Sequence, residues 1–116
     1  MSRKVTPFES ELGQRADEVL HYVWDPIGVA HVPEARDEYS GYALRVLGML
    51  LESASPQALA AFLLEIESAG MGLTPKPEHA QHVAELLLRW KLVLVAQYEQ
   101  RPVGQLESLH VRERDA

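Results

Sequence analysis

The sequence Trp24-Asp25-Pro26-Ile27-Gly28 separates two long helical patterns, and it decides where the chain changes direction. Asp, Pro and Gly occupy the first, second and fourth positions that a type I turn favours. Because the proline ring disfavours helical geometry at the residue before it, a helix that arrives from the N-terminal side is predicted to end at Asp25. The Asp25 carboxylate can then accept hydrogen bonds from amides of its own turn. The chain is therefore predicted to form a sharp corner here.

The segment before the corner is predicted to be one amphipathic helix over about residues 7–24. Thr6 and Glu9 have the spacing of a capping box, and Pro7 suits the first helical position. Apolar residues then recur at helical spacing and predict a buried face. These residues are Phe8, Leu12, Ala16, Val19, Leu20 and Val23.

The segment after the corner predicts a second helix that opens at Pro33. The helix dipole favours the negative charges in its first turns, which are those of Glu34, Asp37 and Glu38. Its apolar stripe comprises Tyr39, Tyr42, Ala43, Val46, Leu47, Leu50 and Leu51. Gly41 and Gly48 each cost about 1 kcal/mol relative to alanine inside a helix, unless they serve a close helix crossing.

Two further helices are predicted. Ser55 and Pro56 form a cap and a first turn for a short third helix that ends near Gly70, and residues 71–77 form a connector rich in glycine and proline. A fourth helix is predicted from near Glu78 until before Pro102, although residues 92–96 are β-prone, which leaves a strand there as the alternative. Its inward face is predicted to carry Val83, Leu86, Leu87, Trp90, Val93 and Leu94.

Amphipathic helices with short connections bury their apolar faces most simply as a bundle. The predicted fold class is therefore all-α, with about four helices in a single domain over residues 1–100. The tail over residues 101–116 alternates charges with isolated apolar residues. It is predicted to be loosely ordered, either as a frayed end or as a short helix.

The charge of the chain is unevenly distributed. The net charge is −6, and residues 5–75 contain 11 acidic and 3 basic residues, whereas the remainder contains 6 acidic and 8 basic residues. An acidic surface repels phosphate backbones and attracts cationic partners. The sequence therefore predicts a basic protein as partner and disfavours nucleic acid.

Several classes of function lack the residues that they need. The absence of cysteine excludes disulfides, thiolate metal sites and a cysteine nucleophile. No signal core follows residues 1–4, and the longest apolar runs are far shorter than the roughly 20 residues of a membrane span. Residues 70–72 lack the lysine and further glycine of a phosphate-binding loop, so no cofactor is predicted. A cytoplasmic protein without a membrane span is expected.

A metal site and a catalytic corner remain as weaker hypotheses. His79 and His82 lie three residues apart, close to Glu78 and Glu85, but a metal site usually takes ligands from a second element as well. The corner contains carboxylates, a guanidinium and phenols, and groups of these kinds can take part in acid–base catalysis. A structural or binding role is favoured for the same residues. These residues are Asp25, Arg36, Asp37, Glu38, Tyr39 and Tyr42.

The chain resembles a family of small uncharacterised bacterial helical proteins in three features. These are a Trp-Asp-Pro-x-Gly turn, an Asp-Glu-Tyr-x-x-Tyr helix and a Met-Gly-Leu connector, found here at residues 24–28, 37–42 and 71–73. The similar region covers about residues 16–90, and Ser40 departs from it because similar chains often have an acidic residue there. The resemblance implies a helical bundle and no catalytic residue. Some members are similar to immunity proteins, small acidic antidotes that block a toxin.

The leading hypothesis is a non-enzymatic inhibitor that binds a basic bacterial protein and occludes its active site, in the manner of an immunity or antitoxin protein. The predicted partner-binding residues are Asp25, Glu34, Arg36, Asp37, Glu38, Tyr39 and Tyr42. One alternative is a self-associating structural or accessory subunit that uses helix four and the tail. Another is a small hydrolase or metal-binding protein. The sequence leaves open whether the rings of Trp24, Tyr39 and Tyr42 are exposed or buried.

Overall fold

The computed structural model describes residues 5–99 and shows an all-α fold. Within that range there are four α-helices and no strand. Their bounds are α1, Pro7–Val19; α2, Ser40–Leu51; α3, Pro56–Glu65; and α4, Pro77–Tyr98. The predicted fold class is confirmed, and residues 92–96 are helical rather than extended. The predicted tail at residues 101–116 lies outside the described residues.

Two helices begin where the sequence predicts, with the predicted caps. At α1, the Thr6 hydroxyl accepts a hydrogen bond from the Glu9 amide at 3.1 Å, and the Glu9 carboxylate accepts one from the Thr6 amide at 3.2 Å. At α3, the Ser55 hydroxyl accepts from the Ala58 amide at 3.0 Å. These bonds satisfy amide groups that have no partner within the first turn of a helix.

Helices α1 and α3 each end in a π-helical turn that the sequence did not predict. α1 continues through Leu20–Trp24 and α3 through Ile66–Gly70. In each turn an amide donates to the carbonyl five residues earlier, over 3.0 Å from Asp25 to Leu20 and over 2.8 Å from Met71 to Ile66. A π turn rotates the side chains that follow it away from their α-helical positions. Such turns occur frequently at functional sites.

The predicted start of the second helix at Pro33 is wrong, because α2 begins at Ser40. Pro33–Ala35 forms one 3₁₀ turn, and tight turns follow up to Tyr39, in which amides bond to carbonyls three residues earlier. The Tyr39 side chain reaches back to the corner, where it is fully buried and donates a hydrogen bond to the Asp25 carboxylate. The tertiary contact therefore overrides the local helix signals. The acidic residues predicted on the first helical turns lie in this irregular segment instead.

The core lies between α4 and its two neighbours, α1 and α3, while α2 packs against α1. The pair α1 and α2 approaches closely at Gly13, where a Cβ atom would lie 3.3 Å from Leu47 Cδ2. The fully buried side chains include these predicted stripe residues of α1, α2 and α4: Leu12, Ala16, Val46, Leu50, Val83 and Leu87. Leu59 and Leu63 of α3 are fully buried as well. Phe8, Val23, Leu86 and Trp90 are only partly buried at the edge of this core.

None of the helices in residues 5–99 combines the length and the apolar character that a membrane span needs.

Candidate functional site

The corner predicted at Asp25 is built around the Asp25 carboxylate. Asp25 itself lies in the left-handed region, with φ 36° and ψ 61°, so the chain leaves the π turn of α1 in a new direction. One carboxylate oxygen accepts from the Val29 amide at 2.7 Å and from the Tyr39 hydroxyl at 2.8 Å. The other accepts from the Ala30 amide at 3.0 Å. Asp25 thus joins the end of α1, the loop after it and the residue before α2.

Tyr39 is the second member of this arrangement. Its side chain is fully buried, and its hydroxyl also accepts a hydrogen bond from the Ile27 amide at 3.3 Å. The ring lies 5.3 Å from the Trp24 ring, measured between centroids. Trp24 is 2 % exposed, so both rings belong to the core, which answers the question that the sequence left open for them. Tyr42 is partly buried, with its ring 6.1 Å from that of Trp24.

The protonation of these two groups follows from their contacts. Burial alone would raise the pKa of Asp25, but the hydrogen bonds from Val29, Tyr39 and Ala30, with the nearby His21 ring, outweigh it and lower the pKa. Burial and the hydrogen bond to the Asp25 carboxylate raise the pKa of the Tyr39 hydroxyl. Asp25 is therefore held as a carboxylate and Tyr39 as a neutral phenol, so neither is poised to exchange a proton near neutral pH.

A buried carboxylate, Glu67, links the two π turns. Glu67 is 3 % exposed, and its Oε2 accepts from the Trp24 indole N–H at 2.7 Å. Its Oε1 accepts from the Lys76 backbone amide at 2.9 Å, immediately before α4. One side chain therefore connects the C-terminal ends of α1 and α3 with the N-terminal end of α4. Because both oxygens have partners, the cost of burying the charge is offset.

Two histidines stabilise the same region through hydrogen bonds to backbone carbonyls. His79 at the start of α4 hydrogen-bonds through Nε2 to the Val23 carbonyl at 2.8 Å. His21 in the π turn of α1 is 2 % exposed and bonds through Nε2 to the Ala30 carbonyl at 3.2 Å. A carbonyl only accepts, so the proton of each bond belongs to the imidazole nitrogen. Both rings therefore act as donors that tie side chain to backbone.

A surface groove of about 590 Å³ opens beside this network. Its wall includes Trp24, Asp25 and Glu67, and its rim includes Lys76 and His79. Within the protein, Asp25 accepts three hydrogen bonds and Glu67 accepts two. These hydrogen bonds stabilise the chain reversal.

The predicted partner-binding residues do not share one surface. Asp25 and Tyr39 hold the corner together through their hydrogen bond. Arg36 donates to Asp17 at 2.9 Å and lies over the Tyr22 ring at 5.3 Å; burial alone would lower its pKa, but Asp17 raises it. The three acidic residues of the segment between the corner and α2 are exposed: Glu34, Asp37 and Glu38. We call residues 33–38 the acidic segment.

The weaker hypothesis of a metal site at His79 and His82 gains no support from the described part of the chain. His79 and His82 lie on α4, but His79 is turned to the Val23 carbonyl, and His82, Glu78 and Glu85 are exposed. No group of three or more potential metal ligands occurs within residues 5–99.

Neither Glu67 nor His21 is predicted from the sequence as a residue of this site. Glu67 lies four residues after Leu63 and eight after Leu59, so helical spacing continues the buried face of α3 to this residue of the π turn. That position in an apolar stripe was the available signal for a buried carboxylate. His21 follows the apolar residues Val19 and Leu20 without such spacing, and it lies buried in the π turn of α1.

Comparison with protein-family models, with curated proteins and with solved structures found no match to the chain.

We expect Asp25→Asn to lower the free energy of unfolding by about 1–3 kcal/mol at neutral pH. The asparagine amide would place an N–H donor against the donors that now meet a carboxylate. Asp37→Asn is the matched control, since Asp37 is exposed, and it should change the stability by less than about 0.5 kcal/mol. Urea denaturation measures both values.

Comparison of wild type with Asp25→Asn also tests the lowered pKa of Asp25. Because the folded pKa lies below the ordinary 3.8, the stabilisation by Asp25 is present above that pH and is lost as pH falls through the folded pKa. The difference in stability between wild type and Asp25→Asn should therefore shrink in acid. A difference that stays constant down to the acid unfolding of wild type would contradict the lowered pKa.

A double-mutant cycle tests the link between the π turns. Trp24→Phe removes the indole donor, and Glu67→Met removes the acceptor. We expect the two changes to be non-additive by about 0.5–3 kcal/mol in urea denaturation, because either single change leaves a buried polar group without its partner. Trp24→Phe combined with Glu65→Met, an exposed glutamate, should be additive. Additivity in both cycles would show that the Trp24–Glu67 bond carries no net coupling.

Proposed function

We propose that this protein works by binding another protein through its acidic segment. The observation that carries the proposal is the exposure of Glu34, Asp37 and Glu38. No side-chain hydrogen bond or ion pair within residues 5–99 uses their carboxylates, so these charges are available to groups outside the described part of the chain.

Hydrogen bonds to the rest of the protein hold the acidic segment in place. The Asp25 carboxylate bonds to Val29, Ala30 and Tyr39, which lie on both sides of the segment, and Arg36 bonds to Asp17 of α1. A surface that is already ordered loses less conformational entropy on binding than a mobile loop does. In this proposal Glu34, Asp37 and Glu38 contact the partner directly, whereas Asp25 and Tyr39 hold these residues in position. Arg36 and Tyr42 flank the contact.

A basic protein is the partner that fits this surface. The described front part of the chain is strongly acidic, as the 11 acidic and 3 basic residues of residues 5–75 show. Complementary charge speeds the encounter and rejects partners of like charge. We further propose that the protein is a non-enzymatic, cytoplasmic inhibitor of a basic bacterial protein and covers that protein's active site as an immunity or antitoxin protein does. The charge distribution and the resemblance of the corner motifs support this function.

A charge-reversal experiment tests the proposal. The partner is first captured from native lysate at low salt and identified by mass spectrometry, and it should be basic and should dissociate at high salt. Replacing Asp37 and Glu38 together with lysine should then weaken its binding to the purified protein by about tenfold or more, since attraction becomes repulsion.

The control variant replaces Glu52 and Glu65 with lysine. Both residues are exposed and lie outside the acidic segment, so net charge changes by the same amount. Equal weakening by the two double variants would show that only total charge matters. Unchanged affinity with lysine at positions 37 and 38 would remove the acidic segment from the interface.

An apolar strip on α4 favours self-association as a second candidate function. Leu92 is 48 % exposed, and Leu86, Trp90 and Val93 line a neighbouring depression of about 260 Å³. Light scattering of the full chain separates the two candidates. The leading proposal expects a mass independent of concentration. A dimer that appears as concentration rises and is lost in Leu92→Lys would establish self-association through this strip.

A further inference from the structure

The C-terminal half of α4 carries apolar residues on two sides of the helix. One side faces the core, where Leu87 is fully buried. The other side is the apolar strip of α4, which comprises Leu86, Trp90, Leu92 and Val93. Leu92 is 48 % exposed, although the outer face of a surface helix is usually polar. An exposed strip of this kind is typical of a surface that packs against a further element.

Ala96 shows where that side of α4 is covered. It is 1 % exposed, but it does not belong to the contiguous core that contains Leu87. Because successive residues of an α-helix are rotated by about 100°, Ala96 lies on the same side of α4 as Arg89 and Leu92, which precede it by seven and four positions. Both of those residues are exposed, so no helix of residues 5–99 packs along that side over these turns. The cover over Ala96 is therefore confined to the C-terminal end of α4.

The chain continues from this end of the helix. Tyr98 fixes the end of α4 to α1, since its hydroxyl donates to the Glu11 carboxylate at 2.7 Å and its ring lies 5.9 Å from the Phe8 ring. Tyr98 lies two positions after Ala96, about 200° around the helix, so α1 is on the side away from Ala96. Residues 100–116 follow directly. They are the length of chain that begins nearest to Ala96.

The sequence of these residues provides a turn and then an apolar pair. Arg101-Pro102-Val103-Gly104 has proline and glycine in the positions that they have in Asp25-Pro26-Ile27-Gly28, where α1 ends and the chain reverses. Leu106 and Leu109 follow at a spacing of three, and residues 112–115 are all charged. This order is typical of a tight turn before a short amphipathic helix.

The lengths of the two segments match. As an α-helix, residues 105–116 would span about 18 Å, and the side of α4 from Leu86 to Ala96 spans about 15 Å. Residues 100–104 are sufficient for the connection, because antiparallel helices are commonly joined by loops of about 2–5 residues. Ala96 is buried within a single chain, which favours an occupant from the same chain over a second copy.

We propose that residues 105–116, the C-terminal segment, fold back along α4 and cover its apolar strip, with Leu106 and Leu109 against Ala96 and Leu92. This inference goes beyond the proposed function and does not depend on the acidic segment. It also bears on self-association, because the C-terminal segment and a second copy cannot occupy the strip at the same time. The segment thus keeps the strip from other molecules.

A single thiol at position 96 tests the cover. The chain has no cysteine, so Ala96→Cys supplies a unique thiol. In the full chain it should react with a small disulfide reagent at least about tenfold more slowly than the thiol of Gln97→Cys, since Gln97 is exposed. Adding the double change Leu106→Gln and Leu109→Gln should remove this protection, because the segment then loses its apolar contacts.

The matched control changes Glu107→Gln and Glu113→Gln, two positions of the same segment outside the apolar pair, and should leave the thiol protected. Protection that persists with glutamine at positions 106 and 109 would overturn the proposal, because other residues would then cover Ala96. Equal reactivity of the thiols at positions 96 and 97 in the otherwise native chain would overturn it as well.

A spin label locates the segment with Ala96 unchanged. Attached to Ser108→Cys in the full chain, the label should broaden the NMR methyl signals of Leu92 and Val93 far more than those of Leu44, an exposed leucine on α2. This broadening should be independent of protein concentration and should be lost with Leu106→Gln and Leu109→Gln.

Two outcomes of the labelling experiment would overturn the proposal. Broadening that is as strong at Leu44 as at Leu92 would show that the segment does not lie on the strip. Broadening of Leu92 that appears only between labelled and unlabelled molecules in a mixture would show that the strip is covered by a second copy.

Discussion

The Asp25 carboxylate constrains the whole front half of the molecule, because it accepts hydrogen bonds from two loop amides and from the Tyr39 hydroxyl. These donors lie between four and fourteen residues further along the chain, so one side chain closes a loop that would otherwise have a large conformational entropy. The left-handed backbone at Asp25 starts the reversal, and Tyr39 ends it. The position of α2 against α1 depends on this closure, as does the presentation of the acidic segment.

Glu67 is the second carboxylate that holds separate parts of the chain together. Both α1 and α3 finish in π turns, and Glu67 accepts from the indole of the first turn and from the amide that precedes α4. A buried carboxylate is costly unless its oxygens are bonded, which makes this geometry specific: a small displacement of any one helix end would leave the charge without a donor. Asp25 and Glu67 thus both hold helix ends in place through hydrogen bonds.

The acidic segment presents Glu34, Asp37 and Glu38 to solvent, whereas the neighbouring Tyr39 is fully buried and bonded to Asp25. Asp17 of α1 accepts hydrogen bonds from Arg36 at 2.9 Å and from Ser40 at 3.2 Å. The segment is therefore joined to α1 and to the start of α2 while its own carboxylates stay exposed.

Local sequence by itself determined the helical class, the caps at Thr6 and Ser55, the turn at residues 25–28 and most of the apolar faces, because helical spacing, capping and proline geometry act over a few residues. Only the tertiary structure decided where α2 begins, because the contact between Tyr39 and Asp25 outweighs the helix-start signals at Pro33. The π turns, the burial of Glu67 and the separation of Asp25 and Tyr39 from the exposed acids likewise depend on partners far apart in sequence, up to 43 residues for Trp24 and Glu67. Periodicity cannot reveal such pairs, because each side chain's surroundings are fixed only when the helices pack.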